Sequence, residues 1–212
     1  MKGLIQNNLY SMENSILIAF IISVFLAILP LSGVNPTFLP MIISMQIFVF
    51  VVNICTSLRA DETAKWNKFE LTLPVKRSNL VLAKYFSIII LIFIGMIMGT
   101  VTMVLSSHFD YTVSRSMLVY GFEYGLTLSI LSMSIMYPLT LVLGAEKSEI
   151  IFILSAFAAI GIMLLIAKVL STWTDGMNLR SPLVGAASVM VAIVAFVLSY
   201  FVSVIIHNRK EF

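Results

Sequence analysis

Six stretches of this chain stay apolar for long enough to cross a bilayer, and that leaves its backbone almost no choice of fold. They run from Ser15 to Leu31, Thr37 to Leu58, Leu80 to Leu105, Ser116 to Gly144, Glu149 to Leu170 and Pro182 to Ile206. The hydrocarbon core needs about 20 apolar residues of helix to span. It holds no water to satisfy free N–H and C=O groups, so only helices or a closed barrel fit. Barrel strands alternate apolar and polar residues, and these runs are continuous. The expectation is an all-α integral membrane fold of six transmembrane helices, forming one transmembrane domain over residues 1–212. The first run is longer than a signal-peptide core, and no A-x-A site follows it. The linkers "SGVNP", "SSHFDYTVSR" and "STWTDGMNLRS" leave no room for a second folded domain.

Composition excludes the soluble alternatives. Hydrophobic residues make up 60% of the 212 and charged ones 11%, against about 25% charged in a soluble domain. The net charge of +3 does not point to nucleic acid, because the bases hug membrane edges and form no patch with interleaved aromatics. Cys55 is the single cysteine, and His108 and His207 are isolated, so neither a disulfide nor a metal site is expected. No P-loop, H-E-x-x-H or G-x-S-x-G occurs. Asp61, Asp110 and Asp175 fall in three different loops. Nothing here supports an enzyme.

Charge sets the orientation. With the loop Asp61–Arg77 inside, one side collects Lys2, Arg59, Lys65, Lys68, Lys76, Arg77, Lys84, Lys147, Arg209 and Lys210. The other side receives Arg115, Lys168 and Arg180. Positive residues stay inside, so both termini are expected in the cytoplasm. Tyr85, Tyr137 and Tyr200 would form an inner interfacial belt, and Tyr111 and Trp173 an outer one. Before the first span, residues 1–14 place Leu4, Ile5, Leu9 and Met12 on one arc. Lys2, Gln6, Tyr10 and Glu13 lie around the rest. That pattern predicts an amphipathic helix on the inner leaflet.

The densest charge is "DETAKWNKFELTLPVKR", Asp61 to Arg77. On a helix over 61–73, Trp66, Phe69 and Leu73 share one face. Glu62 and Glu70 flank that face, and Asp61 joins Glu62 in the first turn, where the dipole favours anions. Pro74 ends the helix. An aromatic face rimmed by acids suits a protein groove with basic rims better than anionic lipid. A helix floating among headgroups is the competing outcome.

These residues resemble permease subunits of bacterial type 2 ABC exporters. The resemblance rests on "MKGL…NLY" at the start and "DE…KWNKFELTLPVKRSNLVLAKY" after the second span, and it covers roughly the first 85 residues motif by motif. It implies that Asp61, Glu62, Trp66, Phe69, Glu70 and Leu73 belong to a cytoplasmic coupling helix that docks an ABC ATPase. That separate subunit would bind ATP and Mg, with no cofactor in this chain. It also implies a second permease chain, identical or homologous, and the bacterial cytoplasmic membrane as the location. Small size and the lack of soluble domains resemble the exporters of phenol-soluble modulins. Thirteen Met and 15 Phe, with few ionisable groups in the spans, suit amphipathic or lipophilic cargo such as phenol-soluble modulins or antimicrobial peptides. The substrate-capture membrane subunit of a vitamin importer has similar length, but it docks its ATPase through another protein.

Polar residues inside the spans are the remaining candidates. Gly95 and Gly99, and Gly121 and Gly125, form two G-x-x-x-G pairs. They predict close packing of the third span on the fourth. Glu123 sits between the second pair but 200° round from it, so it faces protein or water. Tyr120 and Tyr124 flank it, and Lys168 is a potential partner. Glu123 is either part of a substrate path or a polar clamp between helices; Gln46 and Asn53 raise the same question.

Overall fold

The computed structural model describes residues 2–32, 35–66, 76–108, 114–173 and 181–209, and every regular element among them is helical. The elements are α1 (Lys2–Tyr10), α2 (Glu13–Ile28), α3 (Leu39–Val52), α4 (Ile54–Thr63), α5 (Arg77–His108), α6 (Arg115–Leu143), α7 (Ser148–Trp173) and α8 (Pro182–Arg209). Five helices, counting α3 and α4 as one, are each long and apolar enough to cross a membrane. The pair α1 and α2, bent by 65°, makes a sixth when taken together. By helical rise, the 16 residues of α2 cover about 24 Å. A 3-10 turn over Leu29–Ser32 extends it. Most helices outrun the apolar stretches that announced them, because hydropathy marks the bilayer while backbone hydrogen bonding continues into the headgroups.

One end of the bundle gathers Arg59, Asp61, Glu62, Arg77, Lys84, Glu146 and Glu149. The end of α8 meets this charged end through Arg77. The amphipathic start forms its own helix, as expected, but Asn8 on it is buried. Its amide donates to the Ser87 hydroxyl on α5 at 3.2 Å, so α1 docks on the bundle through that face. Met12, at the corner, is part of the core.

The centre of the bundle is α3. Ile43, Ile47, Phe50 and Val51 are fully buried on it, with α5 and α6 packed on either side. The glycine pairs make this possible, but not by the route expected. A Cβ on Gly95 would lie 2.7 Å from the Ile47 Cα, and one on Gly121 would lie 2.8 Å from the Pro40 Cα. Gly125 would meet the Ser44 Cα at 2.8 Å. Both motifs therefore clamp α3, rather than each other, and only Gly99 also meets α6, through the Phe122 ring. Two small residues one turn apart fix close approach; they do not choose which neighbour approaches. Gly121→Ala must push backbone against backbone, and overpacking of this kind costs about 1–3 kcal/mol. It should lower the thermal midpoint in detergent, whereas Gly161→Ala, where nothing lies within 4 Å, should leave it unchanged or raise it.

Pro138 interrupts α6 and removes the N–H that would have bonded the Ser134 carbonyl. The Ser199 hydroxyl on α8 takes its place, donating to Ser134 O at 2.7 Å. Ser199 has then used its proton, so Tyr85 donates to Ser199 across 2.7 Å and Ser203 donates to Tyr85 across 3.0 Å. Tyr137, Phe196 and Tyr200 ring Tyr85 with centroids at 5.2, 4.9 and 5.5 Å. Tyr85 and Tyr137 are thus core residues, not an interfacial belt. Their hydroxyls and the kinked carbonyl need satisfying in an environment without water.

Candidate functional site

The two ends of the bundle differ in kind. At the charged end many polar groups are engaged with one another, beside a cavity of about 400 Å³ lined by Arg59, Glu62, Thr63 and Glu146. Lys84 on α5 is 6% exposed and Asp61 on α4 also 6%. Their charges pair directly, and Lys84 Nζ also donates to Ser57 Oγ at 3.0 Å. Ser11, just after α1, donates to Ser57 at 3.0 Å. One network thus joins the corner after α1 to α4 and α5. Glu62 reaches elsewhere: its carboxylate accepts the Ala145 N–H at 2.8 Å. There it caps the 3-10 turn that leads into α7, just after Gly144 ends α6 at a φ of 91°. Arg77 donates to the His207 and Asn208 carbonyls at the end of α8, at 3.4 and 3.1 Å. The Arg59–Glu149 pair is exposed and contributes little.

Two of the acids expected on the docking helix lie on the preceding one. Asp61 and Glu62 do not open a separate helix; they close α4, which continues the second span to Thr63. The chain turns at Ala64 and Lys65, where Lys65 takes a positive φ of 53°. Periodicity placed the two acids on the loop helix because a helix already running through them has the same period. Trp66 is half-buried just after the turn. Phe69, Glu70, Leu73 and Pro74 lie outside the described residues.

At the opposite end the helices splay around open space. A cavity of about 220 Å³ lies between α6, α7 and α8, lined by Tyr120, Glu123, Tyr124, Met163, Val184 and Gly185 among others. A second, of about 420 Å³, lies between α3 and α6. It shares Tyr120 and Tyr124 and adds Phe38, Pro40, Met41 and Met117. The two tyrosine rings stand 5.9 Å apart and form the wall common to both.

Glu123 points away from its flanking glycines, as its helical position requires. Its carboxylate rests on Gly185 in the first turn of α8; any Cβ there would overlap it. The hydroxyls nearby are already used. Thr127 donates to the Glu123 carbonyl at 2.7 Å, and Ser188 donates to the Val184 carbonyl at 2.8 Å. Lys168, the partner expected from sequence, is exposed on α7. Among the described residues the ion pairs are Arg59–Glu149 and Lys84–Asp61, so Lys168 does not pair with Glu123.

Gln46 and Asn53 are not part of this space. Gln46 is fully buried and bridges the Ser23 carbonyl on α2 at 2.9 Å and the Thr102 hydroxyl on α5 at 2.7 Å. Asn53 sits at the break between α3 and α4, where its amide donates to the Val49 and Phe50 carbonyls at 3.1 and 2.9 Å. Both side chains are engaged with backbone or a neighbouring helix, and Asn53 also lines a separate cavity with Ser15, Ile18 and Cys55. Sequence reasoning missed Gly185 and Lys84. The small residues in "PLVGAAS" at the start of the last span were the available signal for the first. Lys84 entered as an orienting charge and as part of the stretch that carries the resemblance, with no partner named for it.

A family model described as ABC-2 family transporter protein matches residues 3–208. Comparison with curated proteins and with solved structures gives no match.

Proposed function

Because the chain belongs to the ABC-2 family of transporter proteins, we propose that it is the permease subunit of an ATP-driven exporter of amphipathic or lipophilic cargo. The cargo is a peptide such as a phenol-soluble modulin or an antimicrobial peptide. This multi-pass membrane protein would reside in the bacterial cytoplasmic membrane, with the charged end inside. A separate ABC ATPase would bind ATP and Mg, and a second permease chain would complete the path. Docking of the ATPase falls to Trp66, Phe69, Glu70 and Leu73, since Asp61 and Glu62 are committed to the fold.

The observation that carries this reading is the asymmetry of the bundle. Ion pairs, hydrogen bonds and the Tyr85 cluster tie the charged end together. Cavities occur at both ends, and their linings differ. One of about 400 Å³ at the charged end is lined by Arg59, Glu62, Thr63 and Glu146, whereas those toward the other end have mostly aromatic, thioether and aliphatic walls around a few polar groups. Such walls suit apolar faces of varying shape. A path for sugars or small ions would need rings of charge or many amides and hydroxyls. The vitamin-importer alternative has no observation in its favour.

Two experiments test it. The complex with its ATPase should hydrolyse ATP faster with micromolar amphipathic helical peptides, and cells lacking the transporter should retain such peptides or become sensitive to them. Stimulation by sugars, ions or vitamins alone, with normal peptide release from the deletion strain, would refute the cargo. For orientation, in a background without Cys55, single cysteines at Asn35, Thr112 and Asn178 should react with impermeant maleimide added to intact cells. One at Asn67 should not, and its labelling from outside would reverse the topology.

A further inference from the structure

A carboxylate inside a membrane helix is costly, by about 2.5–3.5 kcal/mol at the bilayer centre on insertion scales. Glu123 lies roughly 12 Å along α6 from Arg115, so the cost there is reduced but not removed. A structural clamp would recover it through a partner. Among the described residues none donates to or pairs with the Glu123 side chain. The hydroxyls beside it, on Thr127 and Ser188, are turned to backbone carbonyls. The one favourable influence is the start of α8 under the carboxylate. A helix N-terminus favours a nearby anion only in part, and the Val184 and Gly185 N–H groups are already given to the Ser181 carbonyl, so the carboxylate faces the cavity without a counter-charge among the described residues.

That space is not shaped for a whole ligand. At about 220 Å³ it is smaller than the roughly 300–1,000 Å³ of small-molecule pockets, so it fits one side chain or one head. Around the carboxylate stand Tyr120 and Tyr124, whose ring faces attract cations. The rest of the lining is Ile160, Met163, Leu164 and Val184, with Thr127, Gly185 and Ser188 beside the carboxylate. Across the tyrosine wall the larger cavity offers Phe38, Pro40, Met41 and Met117, with the hydroxyl residues Thr37 and Ser44 among them. One negative group, two aromatic rings and an adjoining apolar trough describe a receptor for a cation attached to an apolar body.

We propose that Glu123 binds the cationic group of the cargo, with Tyr120 and Tyr124 beside it. The transported class is then amphipathic molecules in which an ammonium or guanidinium adjoins an apolar face. The assignment deepens the export reading and rests on it. Gly185 is the seat of this site: lacking a side chain, it lets the carboxylate lie against α8.

The test uses the permease complex with its ATPase in nanodiscs. The probes are a lysine-bearing amphipathic helical peptide and the same peptide with every lysine acetylated. The wild-type complex should reach half-maximal stimulation of ATP hydrolysis at a concentration roughly tenfold lower for the lysine peptide. Glu123→Gln should abolish that preference, so that the two peptides reach half-maximal stimulation at the same concentration. Gly185→Ala, which keeps the charge but displaces it, should narrow the preference and serves if the Gln variant assembles poorly. Equal response of the wild type to both peptides, or a preference that survives in Glu123→Gln, overturns the cation site while leaving peptide export standing. Failure of either peptide to stimulate the wild type overturns the export reading, and the site with it.

Discussion

Lys84→Ala will destabilise this protein more than any other single substitution at the charged end. Lys84 and Asp61 are both nearly inaccessible, and they pair with each other while Lys84 also bonds Ser57. Removing the amine leaves a buried carboxylate with no counter-charge, which costs about 3–5 kcal/mol. The network also reaches Ser11, so the corner between α1 and α2 should loosen. Replacing both partners, Lys84→Met with Asp61→Leu, should recover most of the loss, because a buried pair is often no better than apolar groups of similar volume. Thermal unfolding in detergent checks both. A small drop for the single variant, similar to that for an exposed pair such as Arg59–Glu149, would mean that water reaches the network.

The second large effect concerns assembly. Trp66→Ala with Phe69→Ala should leave the chain inserted and folded while releasing the ATPase. Each aromatic buried in a groove contributes about 1.5–3 kcal/mol, so losing both should weaken association by orders of magnitude. Glu70→Lys should also impair docking if the groove has a basic rim. By contrast, Asp61→Ala should act on stability, since Asp61 faces Lys84. An unchanged ATPase pull-down with the double variant would mean that these aromatics rest in lipid headgroups.

Much of the fold was legible because the bilayer permits so few solutions. Each apolar run longer than about 20 residues had to be a helix, and the later spans fall where those runs fall. Boundaries were less legible. The second span continues through Asp61 to Thr63, since charged residues at a helix end do not stop hydrogen bonding. Contacts between distant segments were not legible at all. The partner of Gly95 and Gly121 is α3, and the partner of Lys84 lies 23 residues away on another helix. Nothing in local spacing encodes either. Of the proposed path residues, Tyr120, Glu123 and Tyr124 do line one cavity, because their helical positions fix a common side. Gln46 and Asn53 do not join them, since an amide in a span looks the same in sequence whether it serves cargo or a neighbouring backbone.

Outward movement of amphipathic peptide, driven by ATP, can be measured directly. Inverted membrane vesicles containing the complex expose its cytoplasmic face to the medium, so export becomes uptake. A fluorescent lysine-bearing amphipathic peptide should accumulate inside them only with ATP, and not in vesicles carrying the Trp66→Ala, Phe69→Ala permease. Peptide levels that do not depend on ATP, or ATP-dependent uptake found only in right-side-out vesicles loaded with ATP, would contradict it.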